Sequence, residues 1–202
     1  MAGLRTDPDK MSPTHTRPPT YSFPDIDGEP RLRELIVYIA GRCDRDPRFG
    51  ATKLNKILMF SDFMAYFRRR RPITGVEYMR LPQGPAPRRL KPITADMERN
   101  REIVIRTIQD GKFEQKRVVP LRDPNLSLFA ADDIAIVDEM IQRFWGRTAT
   151  AVSELSHGIA WRVAGDRELI PYEAVFLSDE GLTEYDITRT HELAQKYGWR
   201  TV

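Results

Sequence analysis

The chain has 202 residues, an apolar fraction of 41% and a net charge of +3. This composition suffices for one core, and the charge is too small for a nonspecific nucleic-acid binder. The single cysteine, Cys43, excludes an intramolecular disulfide and a multi-cysteine zinc site. There is no apolar run long enough to span a membrane and no signal-peptide core, so we expect a cytoplasmic protein without a membrane partner.

Residues 1–29 carry five prolines and few large apolar side chains. This pattern predicts an extended N-terminal arm that precedes a helical domain over residues 30–202. Two interpretations of the arm are open. It is either flexible and without a core of its own, or it docks on its own domain or on a partner through Tyr21, Phe23 and Ile26.

Two helices are predicted in the first third of the domain. The first runs from Pro30 to about Gly41 and buries Leu32, Leu35, Ile36 and Ile39. The second runs from about Ala51 to Arg70 and stops before Pro72. Its apolar stripe is Leu54, Ile57, Leu58, Ser61, Met64 and Ala65. Off that stripe, and expected to face water or a partner, lie Lys53, Asn55, Lys56 and Asp62.

The next segment mixes turns, strands and a helix. Gly75 suits a turn, Val76–Leu81 a short strand and Gln83–Pro87 a rigid loop. A third helix is predicted over Pro87–Thr107. A strand over Phe113–Leu121 is then expected to pair with Val76–Leu81 in a small antiparallel sheet.

The C-terminal third is predicted to be helical. A helix beginning at Ala131 ends at Trp145-Gly146, and its buried stripe is Ile134, Val137, Met140, Ile141 and Phe144. A short helix capped by Thr148 or Thr150 follows, then another over Pro171–Leu177 and a last one over Asp179–Tyr197. The fold class is therefore mainly α (α+β), a single compact helical domain with a small antiparallel β-sheet and the extended arm.

The sequence predicts neither an enzyme nor a metal or cofactor site. The three histidines are far apart and show no metal-ligand spacing. Ser153, Ser156 and His157 are too close along one helix for a nucleophile and its base. A glycine-rich phosphate loop is also absent.

Charge is separated along the chain. Residues 68–91 contain eight basic side chains and one acidic, whereas residues 123–192 contain 14 acidic side chains and five arginines. The basic segment, with Arg68–Arg71 at its start, is open to three interpretations: a solvated cluster, a site for an acidic protein, or a site for nucleic-acid phosphate. The nearby aromatic residues Tyr66, Phe67 and Tyr78 suit an interface or, alternatively, the core.

Several segments in order resemble the Panacea domain of the SocA-like antitoxins. They are LNKILMFSDF, RPITG, LPQGPAPRRL, AVSELSHGIAWRV and IPYEAVFL. The resemblance implies an antitoxin that neutralises a toxin encoded by a neighbouring gene through direct protein binding. It leaves open a SocA-like adaptor that delivers the toxin to the ClpXP protease. A DNA-binding regulator that uses Arg68–Arg71 is the alternative from another class.

The resemblance implies no catalytic residues. We therefore select candidate partner-binding residues in the matching segments by their expected exposure and charge. They are Lys53, Lys56, Asp62, Tyr66, Arg69, Arg70, Tyr78, Gln83 and Pro85.

Overall fold

The helix over Ala51–Arg69 lies at the centre of the structure and packs against most of the other helices. The computed structural model describes residues 18–110, 113–158, 161–162 and 164–177, together with residues 188, 192 and 195. Within these residues the α-helices are α1 (Gly28–Arg42), α2 (Ala51–Arg69), α3 (Leu90–Arg99), α4 (Ala131–Phe144) and α5 (Ala149–Leu155). Short 3-10 helices cover Leu126–Leu128 and Tyr172–Phe176. The mainly α, α+β fold class is confirmed.

The strands form two small antiparallel sheets. In the first, β1 (Tyr78–Met79) lies between β2 (Ala86–Pro87) and β5 (Leu169–Ile170). The second is a hairpin of β3 (Ile103–Asp110) and β4 (Phe113–Pro120), in which Ile103 pairs with Pro120 and Gln109 with Glu114. The strand expected over Phe113–Leu121 is therefore confirmed.

Two local predictions were wrong. The third helix ends at Arg99, because Asn100 caps it and Arg101 turns to a φ of 58°, and the β-branched run from Ile103 forms a strand. The expected pairing of Phe113–Leu121 with Val76–Leu81 does not form. Strand β4 pairs instead with β3, which is adjacent in the chain, so that closing the loop between them costs little entropy. Both edges of β1 are already paired, one with β2 and the other with β5.

The main core lies between α1, α2, α4 and the hairpin. The predicted stripe of α1 is buried as expected, with Leu32, Leu35, Ile36 and Ile39 at most 1% exposed. From α4, Val137, Met140 and Phe144 are also buried, and Val118 of β4 closes the hairpin side. The predicted end of α4 at Trp145 and the Thr148 cap of α5 are both confirmed.

A second, aromatic cluster lies on the other side of α2. It contains Phe63, Tyr66, Tyr78 and Tyr172, joined by Met59, Ile170 and Ala174. The described part of the arm covers it, because the Phe23 ring contacts Tyr66 and Tyr172 at centroid distances of 5.9 and 5.4 Å. The Phe23 amide donates a hydrogen bond to the Gly75 carbonyl (2.9 Å), and the Tyr172 amide donates one to the Thr20 carbonyl (2.8 Å).

Residues 18–27 are therefore packed on the domain, as the docking interpretation expected. The first helix begins at Gly28 rather than at Pro30. The division of the chain at residue 29 stays a prediction. The last predicted helix, Asp179–Tyr197, lies almost wholly outside the described residues.

We expect the Phe23→Ala variant to lose about 2–3 kcal/mol of unfolding free energy, because it removes a half-buried ring from between two tyrosines. Urea unfolding measures the change. The matched control is Phe67→Ala, which truncates a ring that is 52% exposed and should cost less than about 1 kcal/mol. Equal losses in the two variants would contradict the docking of residues 18–27.

Candidate partner-binding surface

Asp62 lies at the centre of a buried hydrogen-bond network. Its side chain is 0% exposed and accepts from the amides of Ile73 (2.8 Å) and Thr74 (2.7 Å). It also accepts from the hydroxyls of Thr74 and of Tyr78, the latter at 2.8 Å. Burial raises the pKa of Asp62, and these hydrogen bonds oppose the rise. The carboxylate thus ties the middle of α2 to the loop before β1 and to β1 itself.

Two lysines of α2 are also buried. Lys53 is 1% exposed and forms an ion pair with the equally buried Asp46, with Nζ 2.8 Å from Oδ2. Lys56 is 1% exposed and donates to the Pro85 carbonyl at 3.0 Å. Burial lowers the pKa of Lys56 to about 7. Gly84 also lies against this ammonium, because a Cβ at that position would be 2.5 Å from Lys56 Nζ.

The expectation that Lys53, Lys56 and Asp62 face water or a partner was therefore wrong. Helix α2 packs against α1, α4, α5, β2 and the Tyr172–Phe176 helix, so little of its surface is left for solvent. The polar side chains off the apolar stripe instead meet partners from other segments. Their roles as partner-binding residues stay a prediction, although all three are enclosed in this structure.

The two predicted tyrosines are buried as well. Tyr78 is 0% exposed, which supports the core interpretation of this residue, and its hydroxyl reaches Asp62. Tyr66 is 8% exposed and donates to Glu173 at 2.9 Å. At the loop before β2, Pro85 is buried, whereas Gln83 is exposed and accepts a hydrogen bond from Thr52 at 3.3 Å.

Most of the arginine collar, residues 68–71, is neutralised within the chain. Arg68 pairs with Glu139 at 2.9 Å and Arg71 with Asp25 at 2.6 Å. Arg69 pairs with Asp133, whose other oxygen is 2.8 Å from Arg31. Arg31, Arg69 and Arg71 line a cleft of about 460 Å³ together with Asp25, Asp27 and Asp133. Charges of both signs balance there, so the cleft has no net attraction for an anion.

Arg70 differs from its neighbours. It caps α2 in the left-handed conformation, with a φ of 58°. Its guanidinium lies 3.8 Å from the centroid of the Phe176 ring, and Phe176 stacks on Phe67 at 5.5 Å. Both rings are exposed, Phe67 by 52% and Phe176 by 38%, and Leu177 beside them by 53%.

Sequence reasoning assigned Phe67 to either an interface or the core, and the core interpretation was wrong. The spacing of Phe67 from Phe63 and Met64 is helical, but α2 extends one turn beyond the elements that cover it. Phe176 and Leu177 lie in the predicted helix Pro171–Leu177 and in the segment IPYEAVFL, but they were not selected as partner-binding residues. Phe176 meets Phe67 only through the fold, so no local signal marks this contact.

Among the described residues there is no helix long and apolar enough to cross a membrane. The part of the chain that the structure describes also has no cluster of metal-ligating side chains.

Comparison with protein families gives one finding. A family model described as "Antitoxin SocA-like, Panacea domain" matches residues 54–162, which is more than half of the chain. The match begins in the first turn of α2. It continues through β1, β2, α3, β3, β4 and α4 and includes α5, whereas β5 lies beyond it. No curated protein and no solved structure gives a significant match.

We expect Asp62→Ala to destabilise the protein by at least about 3 kcal/mol, because it removes the buried acceptor of two amides and two hydroxyls. Asp62→Asn should cost less, since its amide oxygen still accepts from Ile73 and Thr74. Asp25→Ala is the control, because it removes an exposed carboxylate and should leave the unfolding free energy almost unchanged. Equal effects of Asp62→Ala and Asp25→Ala in urea unfolding would contradict the network.

Lys56→Met should remove a pH dependence of stability. The pKa of Lys56 is about 7 when folded and 10.5 as the ordinary value, so between these the unfolded state binds more protons. Between these two pKa values, the unfolding free energy of the wild type should therefore rise with pH relative to the variant. Below the folded-state pKa, Lys56 is charged in both states, so the full cost of burying its ammonium lowers the stability.

The check is urea unfolding of both proteins at about pH 6.5 and about pH 9.5. Lys91→Met, which removes an exposed lysine, is the control and should leave the pH dependence unchanged. A constant difference between wild type and Lys56→Met would show that the ammonium is not desolvated.

Proposed function

Because the chain belongs to the SocA-like antitoxin family that carries the Panacea domain, we propose that it neutralises a protein toxin by binding it directly. The family match over residues 54–162 carries this proposal. The family also indicates a non-enzymatic role and a toxin partner in general. We further propose that a neighbouring gene encodes the toxin and that the pair acts in the cytoplasm.

The surface described above supports protein recognition. Exposed phenylalanine rings lie beside an arginine there, and both residue types are enriched at protein–protein interfaces. The DNA-binding alternative relied on free charge in the arginine collar. Arg68, Arg69 and Arg71 would each have to leave a carboxylate before binding phosphate, which makes this alternative the weaker one.

Delivery of the toxin to ClpXP is the second mechanism implied by the family resemblance. It requires the same direct binding and differs in its consequence, because the amount of toxin falls. Sequestration leaves the toxin abundant and bound. The two mechanisms are therefore separated by the toxin's level, and the binding step is common to both.

Co-expression tests the proposal. We expect the product of the neighbouring gene to arrest growth of a bacterial host, and this chain to restore growth and to co-purify with it. An unrelated toxin serves as the control and should not be neutralised. Restored growth with a stable toxin level supports sequestration, whereas a fall in toxin that is abolished in a host lacking ClpXP supports delivery. A harmless neighbour that does not co-purify would contradict the proposed function.

A further inference from the structure

We propose that Phe67, Arg70, Phe176 and Leu177 form the toxin-binding surface, and that it takes an acidic segment of the toxin with one apolar side chain next to a carboxylate. This inference rests on the proposed antitoxin function and names the surface and the chemistry of the partner segment. We call these four residues the aromatic–arginine patch.

Arg70 differs from the other arginines of the collar in its charge partners. Among the described residues no carboxylate lies within ion-pair distance of it, in contrast to Arg68, Arg69 and Arg71. Its guanidinium lies over the Phe176 ring at 3.8 Å from the centroid. A guanidinium stacked on a ring keeps its N–H edge free, and that edge matches a carboxylate with two hydrogen bonds. The patch thus favours an acidic partner.

The backbone of Arg70 gives a second reason. The left-handed conformation is unfavourable for a residue with a Cβ, and a glycine would end α2 there without this strain. Arg101 and Arg167 have the same conformation, with φ of 58° and 59°, but neither lies over an aromatic ring in the described part of the chain. In Arg70 the strained backbone places the side chain on the patch.

The apolar half of the patch is continuous. Phe67 and Phe176 stack with an interplanar angle of 28°, Leu177 follows Phe176 in the chain, and Tyr66 supports Phe176 from below at 6.0 Å. Among the exposed large apolar side chains of the described residues, Phe67 and Phe176 are the two whose rings stack on each other. A contiguous exposed apolar patch of this kind indicates an interaction site.

This arrangement also identifies the better arginine to change. Arg69 shares Asp133 with Arg31, so replacing it with an acidic residue would place like charges together and disturb the fold. Arg70 makes no such ion pair within the part of the chain that the structure describes. Arg70→Gly removes the side chain and relieves the left-handed backbone at the same time, so it separates binding from stability.

The test measures the affinity of the full chain for the purified product of the neighbouring gene by titration calorimetry. We expect Arg70→Gly and Phe67→Ala each to weaken binding about tenfold or more. Arg70→Gly should also reduce the salt dependence of the affinity, because a charge contact is lost. Its melting temperature should equal or exceed that of the wild type. Arg101→Gly is the matched control, with the same backbone change, and should bind like the wild type.

Wild-type affinity in both Arg70→Gly and Phe67→Ala would overturn the patch while leaving the antitoxin function in place. Failure of the wild-type chain to bind or neutralise the neighbour would overturn the proposed function and the patch with it. A wild-type dimer that Phe67→Ala converts to a monomer with unchanged toxin affinity would assign the patch to self-association, which also overturns the inference.

Discussion

The buried carboxylate of Asp62 is the interaction on which this fold depends most. It joins α2 to the loop at Ile73–Thr74 and, through the Tyr78 hydroxyl, to β1. Strand β1 in turn pairs with both β2 and β5, so segments far apart in the chain are positioned by one side chain. A desolvated carboxylate is tolerated only where donors surround it, which restricts this loop to one conformation.

The polar interactions of α2 are spread along its length. Lys53 meets Asp46 near the N-terminus of the helix, Lys56 meets the Pro85 carbonyl one turn later, and Asp62 follows in the second half. Apolar packing alone is non-directional and allows a helix to rotate or slide. Each of these contacts is lost if α2 rotates, so together they specify a single orientation of the helix within its apolar surroundings.

Much of the fold follows from local signals in the sequence. The apolar spacing of α1 and α4, the end of α4 at Trp145 and the alternation in β4 were all predictable. The burial of Lys53, Lys56 and Asp62 was not, because a helical stripe assumes that the opposite face meets water. Their partners come from loops whose positions only the tertiary structure fixes. The same holds for Phe176, which meets Phe67 across more than a hundred residues of chain.

The position of Tyr66 has a consequence for regulation. One side of its ring contacts Phe23 of the arm, and it also contacts Phe176 of the aromatic–arginine patch. The ring is thus shared between the docked arm and the proposed binding surface. If occupancy of the patch displaces it, thermodynamic linkage requires arm docking and occupancy to alter each other's free energy by equal amounts.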